Sequence, residues 1–328
     1  MKQIWLTTFA LGALAIAGLA AQAQQAAPAV SMIPVQGSVS LITAGGTNVT
    51  VQTGKNGIVL VDTPAPDLVP QVMAEIRKLS QRTIRYIVNT STDPEAIGGN
   101  AALVGPAAGR GTGGAPFGFA GLNRPNIVAH ENVLNRLSSA TPATPAAMLP
   151  TTEYFMPTID LFANDEAIVV YHVPAAHTDG DSIAFFRRSD VISTGNIYTP
   201  GRYPVIDLQR GGTVQGLVAA LGKVLELAVP EAFEEGGTKI IPGRGRVSEE
   251  TDVAEFRDMV AIIRDRVQDG IRKNQTVEQI KAAKPSQDYD AEYGASPADA
   301  DRLVESIYRS LAAAAKPAAP ARPAGRKS

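Results

Sequence analysis

Two short, largely apolar runs limit this chain more than any other feature. "IVLVD" (58–62) is apolar up to its closing aspartate, "IRYIV" (84–88) is interrupted only by Arg85, and each is too short for a free-standing helix. Runs of this kind read as strands covered on both faces. Between them lies "PDLVPQVMAEIRKLS", with Leu68, Val72, Ile76 and Leu79 at spacings of three and four, the signature of a helix with one apolar stripe. Strand, helix and strand in succession, followed by a loop that opens another helix, is the pattern of an α/β fold.

The same pattern extends in both directions. Upstream, "VSLITAGGTNVTVQTGKNGIVLVDTP" predicts three strands with glycine turns at 45–46 and 54–57. Downstream come a short strand "NIVAH", a helix "ENVLNRLSS" and a linker "TPATPAAMLP". Then follow strands at "AIVVYHV", "SIAFFRR" and "DVISTG", an amphipathic helix "TVQGLVAALGKVLELA" and a last strand "TKIIPG". A strands-then-helix arrangement thus occurs twice. From 249 the chain is helical: Val253, Phe256, Val260, Ile263, Val267 and Ile271 form one stripe. "TVEQ" at 276–279 is a capping box, and "SPAD" at 296–299 opens a final helix. The Gly-rich stretch 105–126 has no periodicity and reads equally as a lid or as a disordered loop. Residues 312–328 form a basic Ala/Pro tail expected to be disordered. The expected organisation is therefore a leader at 1–23, an α/β domain at 30–248, a helical extension at 249–311 and the tail.

The leader has a charged start (Lys2), an apolar run and "AQA" at 21–23, the layout of a secretory signal cleaved after Ala23. An uncleaved membrane anchor is the alternative, because the run is near the lower limit for a span. The expectation is an exported protein, periplasmic or secreted, with no membrane span once the leader is removed. With 30 basic and 32 acidic residues, no strong field favours nucleic acid. There is no cysteine, which excludes disulfides, thiolate nucleophiles and cysteine metal sites. Only three histidines exist: His130, His172 and His177.

Four features fall at strand ends, where α/β folds place their sites: Asp62, the loop "NTSTDPEAIGGN" (89–100), "HTDGDS" (177–182) and "IIPGRG" (240–245). Together with "NIVAHEN" and "STGNIYTPGRYPVIDLQRGG", their order and spacing over roughly 36–250 resemble the metallo-β-lactamase superfamily. The resemblance implies a four-layer αβ/βα sandwich, two mixed β-sheets face to face with helices outside, here with a C-terminal helical appendage. It also implies a first metal loop of the form Thr-His-x-His-x-Asp-His-x-Gly-Gly-Asn. Thr90 and Gly98, Gly99 and Asn100 fix the register, so the histidine positions are held by Ser91, Asp93 and Ala96, and the aspartate position by Glu95. The next family histidine is retained as His177. The bridging aspartate is Asn196, and the last histidine is Arg244.

Zinc needs nitrogen, sulfur or carboxylate donors, and a guanidinium only donates hydrogen bonds and cannot bind a cation. No metal or other cofactor is therefore expected. Two carboxylates left in a former cation site need a positive partner, and the expectation is that Arg244 takes the metal's place and pairs with Asp93 or Glu95. On this reading the protein is a non-hydrolytic binding or accessory protein whose partner, a small molecule or a protein, is unknown; Arg244, Asn196 and Ser91 would serve binding. The alternative is a hydrolase with a rebuilt site, either one zinc on Asp93, Glu95 and His177 or a metal-free acid/base centre using the same three residues. A Ser91–His177 nucleophile pair and a His177–Asp181 acid/base pair are weaker versions of it. His130, His172 and Asp62 read as structural.

Overall fold

In the computed structural model, residues 30–104, 124–232, 236–294 and 296–314 are described. The leader, the Gly-rich residues 105–123 and the tail from 315 lie outside them.

The first half forms a seven-stranded sheet whose strands follow chain order: β1 (Val30–Gln36), β2 (Val39–Ala44), β3 (Thr47–Gly54), β4 (Gly57–Val61), β5 (Ile84–Val88), β6 (Asn126–His130) and β7 (Thr152–Tyr154). Pairing is antiparallel from β1 to β4 and parallel from β4 to β7. The change of direction follows from the connections. Tight glycine turns join the first strands, while α1 (Val69–Leu79) carries the chain back from β4 to β5. Short helices α2 (Pro94–Ile97), α3 (Asn100–Val104) and α4 (Glu131–Ser138) follow β5 and β6.

The second half forms a five-stranded sheet from β8 (Thr158–Ala163), β9 (Glu166–His172), β10 (Ser182–Phe186), β11 (Val191–Gly195) and β12 (Lys239–Pro242), in the order β12-β11-β10-β9-β8. It is antiparallel apart from the β11/β12 pair, which is separated by helix α5 (Val214–Leu227). Helices α6 (Glu250–Arg272), α7 (Val277–Ala282), α8 (Asp290–Tyr293) and α9 (Pro297–Ala314) complete the chain.

Three layers of buried side chains hold four layers of backbone. Between the sheets lie Val59, Val61 and Val88 of the first and Ile168, Val170 and Phe186 of the second. The outer face of the first sheet packs on Val72 and Ile76 of α1. The outer face of the second packs Ile183, Ile192 and Ile240 against Leu217 and Leu221 of α5, Phe256 and Val260 of α6, and Leu303 and Ile307 of α9. The expected αβ/βα sandwich is observed. The C-terminal helices follow it as expected, and they share one core with α5 and the second sheet. Helix α9 also runs through Ala312–Ala314, which were expected to begin the tail. Among the described residues, no helix is long and apolar enough to cross a membrane.

Candidate functional site

Asp62, the 89–100 loop, Asn196 and Arg244 follow the C-terminal ends of β4, β5, β11 and β12, and His177 lies in the β9–β10 connection. The two sheets thereby bring residues more than a hundred positions apart to one edge. The loop after β5 is built by its own polar side chains. Asn89 and Asn100 bond each other (Asn100 Nδ2 to Asn89 Oδ1, 2.8 Å), and Asn89 Nδ2 donates to the Ala96 carbonyl at 2.7 Å. Thr63 Oγ1 accepts from the Gly99 amide at 3.0 Å. Asp62 has a positive φ of 62°, which aspartate tolerates, and its carboxylate accepts from the Thr90 amide and hydroxyl at 2.7–2.9 Å. Burial pushes the Asp62 carboxyl up to about 7 in spite of those bonds. Gly195, at φ 54°, is needed because a Cβ there would lie 2.3 Å from Thr90 Oγ1.

Asp93 is the centre of the site. It is 4% exposed, and both of its oxygens are engaged. Oδ2 accepts from His177 Nε2 at 2.9 Å and from Asn196 Nδ2 at 2.6 Å, and Oδ1 accepts from Arg210 Nη1 at 2.5 Å. Burial alone would raise its carboxyl. The bond and charge of His177, the Asn196 amide and the Arg210 guanidinium outweigh it and hold the group well below the usual carboxylate range. His177 is 4% exposed and donates from both nitrogens, since Nδ1 lies 2.7 Å from the Val205 carbonyl. Burial works against its charge, but Asp93 wins, and the imidazolium is held up to about 9.

The network continues to the mouth. Asn196 Nδ2 also reaches Glu95 Oε1 at 3.1 Å, and Arg244 Nη2 donates to that oxygen at 2.9 Å. Arg244 therefore sits on Glu95 and not on Asp93. The guanidinium on Asp93 is that of Arg210, which sequence reasoning missed; its Nε is tied to Asp207 Oδ2 at 2.7 Å and its Nη1 to Thr92 Oγ1 at 3.0 Å. Three carboxylates, Asp93, Glu95 and Asp207, thus face three cations, His177, Arg210 and Arg244, and the cluster is neutral within itself.

The remaining candidates are placed as follows. Ser91 Oγ accepts from the Asp93 amide at 3.1 Å, and no hydrogen bond joins it to His177. Asp181 closes the "HTDGDS" turn by accepting from the Thr178 amide and hydroxyl at 2.6 and 2.7 Å; burial pushes its carboxyl up to about 6. His130 and His172 stack with ring centroids 3.5 Å apart, linking the ends of β6 and β9, and His130 Nδ1 accepts from the Asn132 amide to cap α4.

This donor set does not fit zinc. Amide hydrogens of Asn196 and two guanidinium groups point at the carboxylates a metal would need, and both His177 nitrogens are spent as donors. Among the described residues, no three His, Asp or Glu side chains converge as a ligand set.

No family model and no curated protein matches the sequence. Solved structures do match. The stereoselective inverting sec-alkylsulfatase Pisa1 from Pseudomonas sp. superposes with a TM-score of 0.65 at 13% identity, covering 85% of this chain and 50% of that one, so the chain spans half of that enzyme's length. Such coverage cannot be reached within residues 1–248 and takes in part of the C-terminal helices. A metallo-beta-lactamase from Pontibacter korlensis matches with a TM-score of 0.55 at 11% identity, over 71% of this chain and 99% of that one. The DIM-1 metallo-beta-lactamase gives 0.54 and 14%, over 71% and 98%. Identities this low speak to the fold alone, and on the two facing sheets and their strand-end loops the chain has the metallo-β-lactamase fold.

Proposed function

We propose that this is an exported metallo-β-lactamase-fold protein whose zinc site has been replaced by an ion-pair network, and that it acts as a binding or accessory protein rather than a hydrolase. One observation carries the reading: Asp93, at the heart of the former site, is buried and saturated by His177, Asn196 and Arg210. A carboxylate so engaged, with a carboxyl held below its usual range, is a poor general base. An imidazolium donating from both nitrogens is no base at all until it loses a proton. The leader sequence supports export, and substitution at six of the seven family ligand positions supports loss of the metal.

The test is metal content after purification in excess zinc, paired with turnover of lactam, ester, thioester and sec-alkyl sulfate substrates. The expected result is no stoichiometric zinc and no turnover above the uncatalysed rate. Stoichiometric zinc that Asp93→Ala abolishes would overturn the proposal in favour of one metal on Asp93, Glu95 and His177.

A further inference from the structure

Beside the ion cluster, and sharing only Asp207 with it, a cleft of about 600 Å³ lies between the 202–209 segment and α9. This volume is within the usual range of small-molecule sites. Its walls are Tyr203, Ile206, Tyr293 and Leu303, all largely buried, and the two tyrosine rings stack with centroids 6.1 Å apart. The Tyr203 hydroxyl is turned away, donating to Asp290 Oδ1 at 2.7 Å and the Ser286 carbonyl at 3.2 Å, so the ring is what the cleft presents. Backbone bonds hold the segment in place: Tyr203 N to Tyr293 O at 3.0 Å and Asp207 N to His177 O at 2.9 Å. The cleft is therefore formed before anything binds.

Its charges are unbalanced. Every carboxylate on the wall already has a cation: Asp207 shares Arg210 with Asp93, Asp299 has Arg302, and Glu305 has Lys281 and Arg309. Arg202 is exposed at the rim, and among the described residues no carboxylate pairs with it. Aromatic walls, a preformed shape and one uncompensated guanidinium complement a flat apolar body carrying a single negative charge.

We propose that this cleft binds a small organic anion, an aromatic or similarly flat apolar molecule bearing one carboxylate, sulfonate or sulfate, with Arg202 on the charge and the Tyr203/Tyr293 face on the body. The site gives the binding function a ligand class without using the ion cluster, so zinc content and turnover are independent of it.

The experiment titrates the mature full chain with 1-anilinonaphthalene-8-sulfonate and with its neutral counterpart N-phenyl-1-naphthylamine, following probe fluorescence. Saturable one-site binding is expected for both. Arg202→Glu should weaken the sulfonate by about tenfold or more, the equivalent of one charge-assisted hydrogen bond, and leave the neutral probe unchanged. Ser306→Trp, which fills the cleft from α9, should weaken both, and Arg187→Glu, on an exposed residue outside the cleft lining, should change neither. Equal sulfonate affinity in wild type and Arg202→Glu would overturn the assignment of charge. Unchanged binding of both probes in a Ser306→Trp protein with native far-UV dichroism, or non-saturable binding in wild type, would overturn the site.

Discussion

Asp93 and Arg244 make opposite demands on a mutant, although both belong to one cluster. Removing the Asp93 carboxylate leaves a buried His177 without its partner and Arg210 with Asp207 alone; for buried pairs such a loss costs about 3–5 kcal/mol. The lower end is expected here, because His177 can shed its proton and the Arg210 side chain is 29% exposed. Arg244 is 39% exposed on its Glu95 partner, so Arg244→Ala should cost less than about 1 kcal/mol. Urea unfolding of the two variants measures both. Equal losses would mean that Asp93 is not the buried hub. The pH dependence follows from His177. Its folded pKa of about 9 lies above the ordinary value, so its contribution is complete below about 6.5 and is lost as pH rises through about 9. The stability gap between wild type and His177→Gln should therefore shrink across that interval and stay level below it. Charge accounting is the one sequence signal with a bearing on Arg210. It could not have found it: Asp93 and Glu95 are already matched by His177 and Arg244, and Arg210 brings a carboxylate of its own, Asp207, so the count balances with or without the pair. Nothing local in "IDLQRGG" says that it reaches Asp93, 117 positions away.

At the scale of elements, α5 matters most to the site, because its first turn packs on the segment that carries His177. A Cβ on Gly216 would lie 1.9 Å from the Ala175 carbonyl oxygen, whereas one on Gly222 in the same helix would meet nothing within 4 Å. Helix propensity favours alanine at both positions by about 0.5–1 kcal/mol. Gly222→Ala should gain that amount. Gly216→Ala should lose about 1–3 kcal/mol to overpacking and shift the His177 ring resonance, which Gly222→Ala should leave alone. A Gly216→Ala protein with an unmoved His177 signal would show that α5 does not set the loop. The elements that were legible share one property: they bury enough side chain to impose a period. The apolar runs of β4 and β5 and the stripe of α6 did so. The edge strand β1 includes a proline and alternates little, β7 has three residues, and β8 leaves Phe162 65% exposed, so none of the three is written as an apolar pattern.

For the whole molecule, the question is how the helical extension after 249 is joined to the α/β domain. The core answers through particular contacts. Phe256 of α6 meets Tyr198 edge-on at 5.1 Å and Tyr293 at 5.9 Å, and Ser310 of α9 accepts from the Val214 amide at the start of α5. The sequence marks where these helices start and which face is apolar, but the partner of that face is tertiary information. If the core is shared, a cavity cut in α9 must weaken α5 as well. Ile307 is fully buried, so Ile307→Ala should cost about 2–5 kcal/mol. Amide exchange in α5 should then accelerate together with exchange in α6 and α9, within one cooperative unfolding transition. Faster exchange confined to α9, with α5 protection at its wild-type level, would instead make α9 a unit that opens on its own. It would also detach from the α/β core one wall of the cleft that Arg202 guards.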